Sequence, residues 1–114
     1  MAGKLSVGTT RAGDTTILTP SGDIDINSQP DMAAALKNSA AETGVQRLVV
    51  DLTGVPYMDS SGVATLIKAS QDAKKRGHKL VLAAPQARVS SILQIAKLGT
   101  FFTIAPSVDE AKLR

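Results

Sequence analysis

Arg47-Leu48-Val49-Val50-Asp51-Leu52 is a short, continuously apolar run, of the kind expected for a strand covered on both faces. Thr53-Gly54-Val55-Pro56 then reads as a turn, because Pro56 discourages continuation of the strand. From Ser60 or Ser61 to Arg76 the spacing predicts a helix, with Val63, Leu66, Ile67, Ser70 and Ala73 facing inward and Gly77-His78 ending it. Lys79-Leu80-Val81-Leu82-Ala83 is a second buried strand. Two buried strands joined through a helix imply a parallel pair with a right-handed crossover. The sheet is built around this unit.

Outward from it, the same reasoning extends to both ends. Leu5 to Thr9 and Thr15 to Ser21 read as paired strands around the turn Arg11-Ala12-Gly13-Asp14. Pro20 and Ser21-Gly22 end the second, and Asp23-Ile24-Asp25-Ile26 leads to Asn27-Ser28-Gln29-Pro30-Asp31. Ser28, with Pro30 and an acid in the first turn, marks a helix start; Met32, Ala35, Leu36 and Ala40 carry its stripe, and Gly44 closes it. Ala87 to Leu98 predicts a further helix with Val89, Ile92, Leu93 and Ala96 on one face, stopped by Gly99. Phe101-Phe102-Thr103-Ile104 reads as a short strand, and Ser107 with Glu110 as a capping box for a last helix of about two turns. The expected order is strand, strand, helix, strand, helix, strand, helix, strand, helix. This is an α/β fold with a mixed, mostly parallel sheet flanked by helices.

Composition narrows the function. At 114 residues without an internal repeat or linker, residues 1–114 read as one domain. Hydrophobic residues make up 43% of the chain but aromatics only 3%, so the interior is aliphatic and there is little surface for stacking on bases. The absence of cysteine removes disulfides, thiol nucleophiles and thiolate metal sites, and suits a reducing cytoplasm. No run approaches the roughly 20 apolar residues of a membrane span, and Met1-Ala2-Gly3-Lys4 opens no signal peptide, so no membrane insertion is expected. Lys68, Lys74, Lys75, Arg76 and Lys79 gather near the end of one predicted helix, where they complement its dipole. With a net charge of only +3, they make direct nucleic-acid binding the weakest reading.

The informative motif is Tyr57-Met58-Asp59-Ser60-Ser61-Gly62, between a buried strand and a strong helix. Its plain reading is a helix cap, with an oxygen for the first free amides and a glycine for a tight turn into the helix. One cap needs one oxygen, however, and three consecutive side chains can supply one. A surplus hydroxyl at an exposed helix start is a candidate phosphoacceptor, because free N–H groups and the positive dipole end face a phosphate there. Gly62 is expected either to let a partner's backbone approach or simply to relax the start of the helix.

Enzymatic chemistry finds little support. A serine nucleophile needs a base, and the only histidine, His78, lies past the far end of the same helix, roughly 25 Å away at ~1.5 Å per residue. There is no Gly-x-Ser-x-Gly elbow and no Walker-type phosphate loop. One histidine and no cysteine leave only carboxylates as ligands, so no metal site is expected. Asp51 ends a buried strand as in a phosphoaspartate receiver, but the acidic pair and lysine such a domain needs are not evident. No enzyme activity and no cofactor are expected.

Gly22-Asp23-Ile24-Asp25, Asp51-Leu52, Met58-Asp59-Ser60-Ser61-Gly62 and Leu98-Gly99-Thr100-Phe101-Phe102 follow one another at spacings that resemble the STAS domain, specifically the bacterial anti-sigma factor antagonists. The likeness covers nearly the whole chain, and the Asp-Ser-Ser-Gly string is its most specific part. It departs from the usual pattern at Ile26-Asn27 and at Ala64 and Thr65. The resemblance implies partner switching. The unphosphorylated protein would bind an anti-sigma factor that is also a serine kinase, releasing a sigma factor; phosphorylation by ATP would end the complex, and a serine phosphatase would reset it. It further implies that Ser60 is the acceptor and that Asp25, Ser28, Asp59, Ser61 and Gly62 form the partner-binding surface. Two other functions remain open at this point: a STAS subunit docking on an ATPase of a membrane lipid-transport complex, and a small-nucleotide sensor with phosphates at the Ser60–Gly62 helix start.

Overall fold

The computed structural model describes residues 5–95 and 102–114. Its elements are β1 (Ser6–Ala12), β2 (Thr15–Ser21), α1 (Gln29–Ala40), β3 (Arg47–Asp51), α2 (Ser60–Arg76), β4 (Lys79–Ala83), α3 (Ala87–Ile95), β5 (Thr103–Ala105) and α4 (Val108–Ala111). The strands form one sheet in the order β1-β2-β3-β4-β5. The first pair is antiparallel and the other three are parallel. The mixed α/β architecture expected from the sequence is therefore the one adopted.

The register follows from which side chains must be buried. Ile17, Val49 and Val81 lie side by side in adjacent strands, as do Leu18, Val50 and Leu82. Because strand side chains alternate, these two rows face opposite sides of the sheet. The second row belongs to the larger core, which α1, α2 and α3 close with Met32, Leu36, Val63, Leu66, Val89 and Leu93. The first row belongs to a smaller core, capped by Ala111 and Val108 of the short α4. Burial on both faces explains why β3 and β4 read as unbroken apolar runs.

Several boundaries differ from the sequence expectation. β1 runs on to Ala12, which pairs with Thr15, so the hairpin turn is only Gly13-Asp14. Gly13 has φ +61°, a conformation that costs glycine little. α1 ends at Ala40, before Gly44, and α4 is a single turn rather than two. Ser107 does cap α4, accepting the Glu110 N–H at 3.2 Å. The Ala96–Leu98 end of the expected third helix and Phe101 of the expected last strand lie outside the described residues.

Candidate functional site

Parallel strands β3 and β4 end on the same side of the sheet, and the chain leaving β3 reaches α2 through residues 52–59. This segment is joined to the one leaving β2. Gly22 donates its N–H to the Gly54 carbonyl at 3.0 Å, Ile24 donates to Tyr57 at 3.0 Å, and Asp59 donates back to Ile24 at 3.1 Å. Ile24 and Met58 form a parallel bridge, and both side chains are fully buried. Two loops distant in sequence thus make one rigid platform at the start of α2.

Asp59 organises that start. It is the N-cap of α2, with extended backbone, and its Oδ1 accepts the N–H of Ser61 at 2.9 Å and of Gly62 at 3.2 Å. The Ser61 hydroxyl donates to the same oxygen at 2.5 Å. Its Oδ2 accepts the Ile26 N–H from the neighbouring loop at 3.2 Å. The Ser61 hydroxyl, and then the amides of Gly62, Ser61 and Ile26, hold the carboxyl below the ordinary carboxylate value, against an opposing push from partial desolvation. Asp59 is therefore an ionised clamp between loop and helix.

The three oxygens of Asp59-Ser60-Ser61 divide their roles. Asp59 caps the helix and Ser61 is half-buried with its hydroxyl engaged by Asp59. Ser60 is the first residue of α2, is exposed, and its hydroxyl enters no hydrogen bond among the described residues. The surplus hydroxyl inferred from the sequence thus belongs to Ser60.

Two residues expected on the partner-binding surface are instead internal. Ser28 is 4% exposed; its hydroxyl donates to the Asp23 carbonyl at 2.7 Å and accepts the Asp25 N–H at 3.0 Å. It stands at the N-cap of α1 but makes no side-chain cap bond. Its hydroxyl ties the loop together and has no face to offer a visitor. Gly62 is also buried, and the reason lies within the domain. A Cβ there would sit 2.7 Å from Met58 Cγ, 2.8 Å from the Ile24 carbonyl oxygen and 2.9 Å from Ile24 Cγ2. Glycine is needed so that α2 can press against the Ile24–Met58 bridge, not so that a partner can approach.

Asp25 and Asp59 are half-buried at this same end. Asp25 Oδ1 accepts the N–H groups of Asn27 at 2.9 Å and Ser28 at 3.1 Å, which shapes the turn into α1. Sequence reasoning overlooked two neighbours. Ile26 and Tyr57 project large apolar side chains into solvent from the two joined loops. No local signal marks them, because Ile26 lies in a turn and Tyr57 in a short loop, while their neighbours Ile24 and Met58 are completely covered.

A family model, described as the STAS domain, matches residues 6–111. The chain belongs to the STAS domain family. This STAS domain is 31% identical over 83 residues to an anti-sigma-B factor antagonist of Listeria monocytogenes, covering 73% of this chain and 72% of that protein. Its fold matches the crystal structure of an anti-sigma factor antagonist from Mycobacterium paratuberculosis, with a TM-score of 0.88 and 20% identity over 96% of this chain and 92% of that one. It also matches the Bacillus cell fate determinant SpoIIAA in its phosphorylated form, with a TM-score of 0.73 and 17% identity over 96% of this chain and 100% of that one. The Leu98–Phe102 segment of the family pattern lies outside the described residues except for Phe102, which is buried. Among the described residues, no helix of the STAS domain is long and apolar enough to cross a membrane.

Proposed function

We propose that this STAS domain is an anti-sigma factor antagonist, a cytoplasmic binding protein without enzymatic activity of its own. It binds an anti-sigma factor that is also a serine kinase, and phosphorylation of Ser60 ends the complex. A serine phosphatase restores the binding form. The observation that carries the reading is the division of labour at the start of α2, where Asp59 and Ser61 complete the cap and leave the exposed Ser60 hydroxyl unengaged among the described residues. The Listeria relative's name supports the antagonist role. The phosphorylated fold relative supports the compatibility of this architecture with a phosphate.

The physics favours Ser60 over Ser61. Modifying Ser61 would break its bond to Asp59 and set a phosphate against that carboxylate within the half-buried cap. At Ser60 the new charge, about −1.5 to −2, stands in solvent near the positive end of α2. The dipole contributes only about 0.3–1 kcal/mol there, so the fold tolerates the modification. At an interface the balance reverses, because juxtaposed like charges cost several kcal/mol and each ~1.4 kcal/mol is a tenfold loss of affinity. Asp25 and Asp59 add to the repulsion where the kinase cleft is acidic. One hydroxyl can therefore switch binding while leaving the domain folded.

The test is to incubate the chain with ATP and the anti-sigma serine kinase of the same genome, then map the modified residue by mass spectrometry. Phosphate on Ser60, absent from Ser60→Ala, is the expected result. Stable binding without phosphate would support docking on an ATPase instead, and phosphate at full yield on Ser60→Ala would move the acceptor to Ser61.

A further inference from the structure

The described residues include three large apolar side chains that stand in solvent: Ile26 at 72% exposure, Tyr57 at 41% and Leu113 at 84%. Leu113 lies after α4, where the neighbouring Arg114 carbonyl accepts a hydrogen bond from Lys79 at the start of β4. That is the opposite end of the sheet from Asp59. Ile26 and Tyr57 are on the two loops that meet at Asp59, the residue before Ser60. A single exposed apolar residue needs no explanation, but two beside one candidate site do.

The fold does not need either side chain where it is. Ile24 and Met58 already fill the interior beneath the loops, and both are 0% exposed. Ile26 and Tyr57 leave their apolar area in water, although an isoleucine contributes about 1.5–3 kcal/mol when fully buried. Tyr57 is the only tyrosine of the chain. Their backbones are nevertheless fixed. Asp59 Oδ2 accepts the Ile26 N–H, and the Tyr57 carbonyl accepts the Ile24 N–H. A β-branched side chain and an aromatic ring with two torsions lose little freedom on docking. Rigid, solvent-facing side chains of this kind have the character of interface hot spots.

We infer that Ile26 and Tyr57 are the apolar anchors by which the anti-sigma serine kinase grips this end of the domain, seated in an apolar recess beside its phosphoryl-transfer cleft. The inference rests on the reading of Ser60 as the switch, since it places the anchors on the surface that Ser60 controls. It assigns grip to the two apolar residues and release to the hydroxyl.

The test measures the affinity of the purified kinase, loaded with ADP, for the wild-type chain and for Ile26→Ser, Tyr57→Ser and Leu113→Ser, each checked for an unchanged thermal midpoint. Ile26→Ala serves as a second variant should Ile26→Ser not fold. Loss of about tenfold or more is expected for each anchor, and less than twofold for Leu113→Ser. Anchor variants that bind within twofold of wild type, while Ser60→Asp still abolishes binding, would overturn the inference and leave the Ser60 reading intact. An equal loss in Leu113→Ser would overturn it too, by making the effect one of general surface apolarity. A wild-type chain that the kinase neither binds nor phosphorylates would overturn the Ser60 reading, and the inference with it.

Discussion

Replacing Asp59 by alanine removes one side chain that holds four hydrogens in place. Two are the first free amides of α2, one is the Ser61 hydroxyl, and one is the Ile26 amide of the neighbouring loop. Loss of a helix cap costs about 0.5–2 kcal/mol. The half-buried Ser61 hydroxyl and the loop-to-helix tie add about 1 kcal/mol, because their partners must find water. The sum is about 1.5–3 kcal/mol. For a chain of this size each kcal/mol is worth roughly 3–6 °C, so the thermal midpoint should fall by about 10 °C. The pH dependence carries a second signature. The Asp59 carboxyl is held below its ordinary value of 3.8 in the folded state, so its contribution is complete above that value and is lost as the pH falls through the folded one. The gap between wild type and Asp59→Ala should therefore be widest near neutrality and close in acid. Scanning calorimetry at several pH values measures both. A drop below about 2 °C at neutral pH, or a gap that widens on acidification, would refute the clamp role.

Other consequences follow from the same geometry. Ser60→Ala should change stability by less than about 0.5 kcal/mol, since its hydroxyl has no partner among the described residues; chemical denaturation will show whether it does. Ser60→Asp should weaken kinase binding at least tenfold while costing the fold no more than about 1 kcal/mol, as titration and melting together can establish. Gly62→Ala forces a methyl against a backbone carbonyl at 2.8 Å, so a loss of about 1–3 kcal/mol and a lower midpoint are expected. Ser28→Ala leaves the half-buried Asp25 amide without its acceptor and should cost about 1–2 kcal/mol, with no direct effect on partner binding once stability is matched.

The order of elements was legible because β3, α2 and β4 obey a single period each, and because Gly77 has the left-handed conformation a helix end favours (φ +74°). The start of α2 was legible for a similar reason: a cap is a local event, and Asp59, Ser60 and Ser61 are adjacent. What the sequence concealed lies in contacts between loops. Ile24 and Met58 are far apart in the chain, so nothing local announces their bridge, and hence nothing announces why position 62 must be glycine. Ser28 has the composition of a cap, but the Asp23 carbonyl and Asp25 amide draw its hydroxyl inward, while Asp25 shapes the turn. Ile26 and Tyr57 fall in segments too short to show a period, so their outward projection emerges only when Ile24 and Met58 are seen to point in.

The most direct measurement titrates the kinase with the same chain before and after stoichiometric phosphorylation, following affinity and thermal midpoint in parallel. Affinity should fall by more than tenfold on modification of Ser60, with a midpoint that moves by only a few degrees. An unchanged affinity, or a loss matched by collapse of the fold, would contradict a switch that acts at the docked surface.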